Sequence, residues 1–225
     1  MTLCTTDASK GDEGVAIIYV PRETPGLSFG PPEAKMGLVY TEYNGAIYYD
    51  DVRVPKEYRA AGPGIDSELL HDILTVGKIG TAALALGPAQ AAFEIALEYT
   101  KSRFIVGKQV RERSMHAGMI ADMAIALESA RAYYIQVAKM MDRPDLYGRL
   151  GTPFMHGKAS GAKVLACDTA IMVTNKAMEL MGSMGCSEGM HVEKYLRDTK
   201  IMQLVEGGAQ LARLDMARSF YPFEW

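Results

Sequence analysis

One carboxylate in this chain stands where it could serve as a base. Glu206 follows an apolar pair, Leu204 and Val205, and precedes two glycines, Gly207 and Gly208. An apolar flank favours proton uptake by a carboxylate, and glycines leave the main chain open to an approaching substrate. The residue also has a plainer reading. An acid at the start of the last helix suits the positive end of the helix dipole. Local chemistry leaves both readings open.

Other reactive constellations are sparse. Cys4, Cys167 and Cys186 are an odd, scattered set that fits free thiols in a reducing compartment better than a disulfide framework. His71, His116, His156 and His191 form no H-E-x-x-H pattern, so no metal site is expected. Neither G-x-G-x-x-G nor a P-loop is present, so a nucleotide cofactor would be held by other means. The net charge of −3, with no basic patch interleaved with aromatics, argues against nucleic acid. No stretch of 18 or more uncharged apolar residues is seen, so no membrane span is expected. The N-terminus lacks a basic region followed by an apolar one, and no signal peptide is expected. Cytoplasm, or the mitochondrial matrix in a eukaryote, is the expected location.

The elements that must position Glu206 fall into two regions. Residues 1–62 read as a partial antiparallel β domain of four or five short strands. Val15–Val20 and Ala46–Val52 are apolar runs, separated by turn signals at Thr24-Pro-Gly26, Gly30-Pro-Pro32 and Asn44-Gly45. Ala61-Gly-Pro-Gly64 marks the change, and residues 63–225 read as a bundle of helices. A first helix is expected over Asp66–Ser102, kinked at Pro88. A second spans Arg113–Asp142, with a seam of Ile120, Met123, Leu127, Ala130, Tyr134, Val137 and Met141 at alternating spacings of three and four. A third opens at Thr152-Pro153, an N-cap followed by proline at the first helical position, and ends at Gly182. Short helices over Val192–Met202 and Glu206–Phe220 complete the set. The fold class is therefore mainly α, an antiparallel four-helix-bundle-type domain preceded by the partial β domain. The aromatic tail Phe220-Tyr-Pro-Phe-Glu-Trp225 is expected either to pack on the bundle or to make a subunit contact.

Six segments, in order, resemble the flavin-dependent acyl-CoA dehydrogenases. They are Val20-Pro-Arg-Glu-Thr-Pro-Gly-Leu27; Lys35-Met-Gly37; Asp50-Asp-Val-Arg-Val-Pro55; Ala85-Leu-Gly-Pro-Ala-Gln-Ala91; Arg103-Phe-Ile-Val-Gly-Lys108; and Tyr195-Leu-Arg-Asp-Thr-Lys-Ile201 with Glu206-Gly207. The resemblance implies α,β-dehydrogenation of an acyl-CoA thioester, with Glu206 taking the α-proton and FAD the β-hydrogen. In the family the thioester oxygen is hydrogen-bonded by the amide of the catalytic glutamate and by a flavin hydroxyl, stabilisation worth about 3–4 kcal/mol per donor. Gly207 leaves that amide accessible, and the resemblance places Lys78 with it at the substrate.

The resemblance also implies a flavin set: Arg103 on the pyrophosphate of a neighbouring subunit's FAD, with Val106, Glu179, Ser183, Gly208 and Gln210 at the cofactor. The chain departs from the family pattern at several of these. Val106 replaces an aromatic, Glu179 a glutamine, Ser183 a glycine, Gly208 a threonine and Lys78 an arginine. A carboxylate near a pyrophosphate is electrostatically unfavourable unless paired. Family members carry an N-terminal helical domain and more of the β domain, so this chain is expected to act as part of a larger enzyme or a homo- or hetero-oligomer of tetramer type. Electron-transferring flavoprotein is the implied electron acceptor. A non-catalytic structural subunit is the alternative.

Overall fold

The computed structural model describes residues 1–41 and 43–221. The last four residues of the aromatic tail, and with them the expected packing or subunit contact of that tail, lie outside the described residues. Strands β1 (Thr2–Thr5) and β2 (Val15–Ile18) pair antiparallel, with Thr2 opposite Ile18 and Thr5 opposite Val15. The other side of β2 is covered by the approach to the helices, where Ala60 N donates to Ile17 O and Tyr19 N to Tyr58 O, both at 2.8 Å. Strands β3 (Leu27–Phe29) and β4 (Ile47–Tyr49) form a second antiparallel pair. The β region is thus separate two-stranded hairpins rather than one sheet.

Helix α1 (Ile65–Ser102) is anchored by Asp66 in its first turn. That fully buried carboxylate accepts from Arg59 Nε at 2.5 Å, Ala61 N at 3.0 Å and Gly62 N at 3.3 Å, which ties the Ala61–Gly64 turn to the helix it precedes. Pro88 stands inside α1 without ending it. The hairpin β5 (Phe104–Ile105) and β6 (Lys108–Gln109) leads to α2 (Ser114–Met141), and the short α3 (Pro144–Tyr147) leads to α4 (Pro153–Met181). Thr152 caps α4 as its sequence suggests, its side chain accepting from Met155 N at 3.4 Å. Helices α5 (Val192–Leu204) and α6 (Gly208–Arg218) follow.

The core between α1 and α4 is built largely of alanine: Ala82, Ala85, Ala89, Ala92 and Ala96 face Ala166, Ala170 and Ala177. Small side chains at three- and four-residue spacing let two helix backbones approach closely. From α2, Met123, Leu127, Ala130 and Val137 of the expected seam are buried against them. Helix α1 is long and apolar enough to cross a membrane by composition, with mean hydropathy 1.4 over 18 residues. In this fold its apolar face packs on α4, α5 and α2 as a bundle helix.

Helices α5 and α6 lie end to end along α4 and antiparallel to it. Descending the pair, Thr199 meets Thr174, the Met202 carbonyl meets Cys167, the Val205 carbonyl meets Lys163, Asp215 meets Ser160 and Ser219 meets Gly157. One helix-length of the bundle is therefore two helices with a break between Leu204 and Gly208. The β region is stapled to the upper one. Leu38 N donates to Asp198 Oδ1 at 2.6 Å and Arg197 donates to the Met36 carbonyl. Gly37 lies so close to α5 that a Cβ would stand 2.5 Å from the Arg197 carbonyl oxygen.

Candidate active site

Glu206 lies in the break, not in the first turn of the last helix. Its φ is +52°, followed by +83° at Gly207 and +77° at Gly208. A non-glycine residue in the left-handed region costs about 1–3 kcal/mol and persists where its surroundings hold it. Here the turn aims the half-buried carboxylate at α1. Oε2 accepts from Thr81 Oγ1 at 3.2 Å, and Oε1 lies over Gly77, where a Cβ would stand only 2.3 Å away. Gly77 and Thr81 are one helical turn apart and share a face. The glycine supplies space for the carboxylate and the threonine a donor. The Glu206 amide has no acceptor among the described residues, and neither has that of Gly207. Two N–H groups are thus free beside a carboxylate.

A helix end leaves carbonyls without partners inside the helix. At the end of α5 these are met from α4. Cys167 Sγ donates to Met202 O at 3.5 Å, and the Lys163 ammonium donates to Val205 O, which also accepts from Gly208 N at 3.0 Å. Lys163 is 1% exposed. Burial pushes its ammonium below the usual lysine range, against the opposing pull of Glu206. Burial also pushes the Cys167 thiol up to about 12, so it stays protonated and unreactive.

A second buried layer lies below. Lys78 Nζ is 2.6 Å from Asp215 Oδ2, to which Ser160 Oγ donates at 3.4 Å and beside which His156 Nε2 lies at 3.4 Å. The other ring nitrogen of His156 is 2.7 Å from Thr75 Oγ1. Burial disfavours the Asp215 charge, but hydrogen bonds from His156 and Lys78 outweigh it and hold the carboxyl well below the usual carboxylate range. Lys78, expected at the substrate, is therefore turned into the core, 3% exposed and neutralised by Asp215. Its position on the stripe that continues through Ala82 and Ala85 explains this.

The expected flavin residues divide into two groups. Gly208 opens α6 beside Glu206, and Gln210 is exposed in the first turn of that helix. Arg103 caps the other end of α1, 22 residues beyond Thr81, or about 33 Å along the axis. Its side chain is exposed and has no partner among the described residues. Val106 follows in the hairpin turn, 89% exposed, with Phe104 and Ile105 also exposed. Glu179, in the last turn of the parallel α4, and Ser183, in the turn just after it, lie towards the same end of the bundle, and Asn175 donates to Glu179 at 2.6 Å. Within this chain the Arg103 group and the Glu206 group do not meet.

The bundle, with its last helical length interrupted at Glu206-Gly207-Gly208, is the frame in which the family can be assigned. The profile of the family described as "Acyl-CoA dehydrogenase, C-terminal domain" matches residues 68–221, and the chain belongs to that family. Among curated relatives, the mitochondrial short-chain specific acyl-CoA dehydrogenase of Rattus norvegicus is 33% identical over 217 residues, covering 96% of this chain and 50% of the relative. The cyclohex-1-ene-1-carbonyl-CoA dehydrogenase of Syntrophus aciditrophicus is 34% identical over 214 residues, covering 95% of this chain and 50% of the relative. The solved butyryl-CoA dehydrogenase of Megasphaera elsdenii superposes with a TM-score of 0.88 at 32% identity, over 97% of this chain and 55% of that one. The chain thus spans about half the length of the curated relatives it matches.

Gly77, Thr81 and Lys163 are the site residues that sequence reasoning did not single out. The signals for them are faint. Gly77 and Thr81 interrupt an apolar helix one turn apart, and Lys163 is a lone charge in the small-residue run Ala159–Ala166.

Proposed function

We propose that this chain forms part of an FAD-dependent acyl-CoA dehydrogenase in which Glu206 removes the α-proton of an acyl-CoA thioester. The observation that carries the reading is the Glu206 carboxylate held in a left-handed break between two helices, beside its own unpartnered amide. A thioester oxygen accepting from that amide, and from the amide of Gly207, places the α-carbon near the carboxylate. Each such donor stabilises the enolate-like charge that develops as the proton leaves, by about 3 kcal/mol. The proton ends on Glu206, and the 2,3-enoyl thioester is the product. Bound FAD would supply the acceptor for the β-hydrogen and its electron pair. Arg103, exposed and unpaired beside Phe104 and Ile105, is suited to bidentate contact with a pyrophosphate.

The residues that complete this site come from outside the chain's own described fold, in an oligomer or a larger enzyme. The names of the short-chain and butyryl relatives support a short acyl group. A structure from work on the electron transferring flavoprotein of Acidaminococcus fermentans, 32% identical at a TM-score of 0.88, supports such a flavoprotein as acceptor.

A second reading, a non-catalytic subunit of a dehydrogenase assembly, is favoured by one observation: the exposed Glu179 carboxylate lies towards the same end of the bundle as Arg103. Anaerobic titration of the flavin-loaded native assembly with butyryl-CoA separates the two. Bleaching of the oxidised flavin with formation of the enoyl-CoA supports the enzyme. A flavin that stays oxidised refutes it.

A further inference from the structure

The lysine behind the acidic turn is unusual on three counts. Lys163 is 1% exposed, and lysines are almost never fully buried without a charged partner. Its ammonium makes no ion pair with a carboxylate among the described residues, and its hydrogen bond goes to a peptide carbonyl, that of Val205. That carbonyl belongs to the residue before Glu206, at the negative end of α5, where a cation is favoured. The charged and titratable groups facing Lys163 are Lys78 from α1, Cys167 from its own helix, Asp215 from α6 and Glu206 from the break. Lys78 and Asp215 neutralise each other at 2.6 Å, and Cys167 stays a thiol. The remaining counter-charge is the Glu206 carboxylate.

We propose that Lys163 is a positioning residue for the base: its bond to the Val205 carbonyl fixes the left-handed turn that aims Glu206. The inference rests on the reading of Glu206 as the α-proton base. Lys163 touches neither substrate nor cofactor in this arrangement, so it acts on kcat and not on binding. Reaching from within α4, the same lysine meets the carbonyl end of α5 immediately before the break.

The test compares Lys163→Met, Lys163→Gln and Glu206→Gln in the flavin-loaded native assembly with butyryl-CoA. Lys163→Met lowers kcat by about 10- to 100-fold, as a misplaced catalytic group does. KM stays within about threefold and flavin content is unchanged, since binding contacts are not removed. Lys163→Gln, which keeps a donor for the Val205 carbonyl, recovers part of kcat. A Lys163→Met kcat equal to the parent's, with only a lower melting temperature, overturns the inference while an inert Glu206→Gln leaves the base reading standing. A fully active Glu206→Gln instead removes the base reading itself. Should Lys163→Met fail to fold, a crystal structure of the unsubstituted protein with a bound acyl-CoA analogue decides. Lys163 Nζ on the Val205 carbonyl supports the role, and Nζ turned elsewhere overturns it.

Discussion

Replacing Gly77 with alanine separates stability from activity. Gly77 lies inside α1, where glycine costs about 0.5–1 kcal/mol relative to alanine. On helix propensity alone Gly77→Ala stabilises the protein, raising the melting temperature by about 2–4 °C per kcal/mol in a domain of this size. The new Cβ, however, stands 2.3 Å from Glu206 Oε1 and 3.4 Å from its carboxylate carbon. Ordinary van der Waals contact begins near 3.4 Å, so the carboxylate oxygen must move by about 1 Å. The obstacle is the tip of a flexible side chain, and the fold yields there at little cost. A base displaced by 1 Å loses up to about 100-fold in rate, or about 2.7 kcal/mol of transition-state stabilisation. The expected outcome is a melting temperature equal to or above the parent's with kcat/KM lower by about 10- to 100-fold, read by thermal unfolding and steady-state oxidation of butyryl-CoA. A variant that is stabilised and fully active contradicts the reasoning, because it shows that the slot over Gly77 does not set the carboxylate where chemistry occurs.

Two further outcomes follow from the buried charges and the β-region staple. Asp215→Asn leaves the buried Lys78 ammonium without its counter-charge and destabilises the protein by about 3–5 kcal/mol in urea unfolding. The Asp215 carboxyl is held below its usual 3.8 in the fold, so its contribution is complete above about pH 4 and is lost as the pH falls below that value. The same substitution therefore flattens the acid side of the stability–pH curve, and an unchanged curve refutes the assignment. Gly37→Ala forces a methyl group against α5 backbone, 2.5 Å from the Arg197 carbonyl oxygen and 2.9 Å from Asp198 N. Amide exchange at Leu38, whose N–H is bound by Asp198, should then rise while exchange within α1 is unchanged.

Much of the helical framework was legible because its ends are written locally. Thr152-Pro153 specifies the start of α4 by capping chemistry, and Gly182 its end, whatever the helix packs against. The seam of α2 was legible for a different reason: its buried positions recur at the helical period. β1 is silent in sequence because four residues alternating Thr, Leu, Cys and Thr are too short to signal a strand without their pairing to β2. The β region's hairpins likewise give no sign in sequence of whether they join into one sheet.

At the site, Glu206 was visible as an acid before two glycines, but its placement was ambiguous. Only its positive φ and its contact with α1 put it in a break rather than a helix start. Thr81 is 125 positions away, and periodicity reveals which face of a helix is buried, not which carboxylate it meets. Lys163 runs against its residue type, since a lysine in an alanine-rich helix reads as a solvent-facing position until the helix is found packed on all sides. The inward direction of Lys78 is written in its spacing. The residue shares a helical stripe with Thr75, Ala82 and Ala85, all buried.

The central claim, that Glu206 is the α-proton base, is tested most directly by the rate of flavin reduction when Glu206→Gln is mixed anaerobically with butyryl-CoA in the flavin-loaded assembly. Glutamine keeps the shape and can still accept from Thr81, yet it cannot take up a proton. The account predicts reduction slower by about 100- to 10,000-fold, with flavin content and acyl-CoA binding retained. Reduction at the parent rate would contradict it.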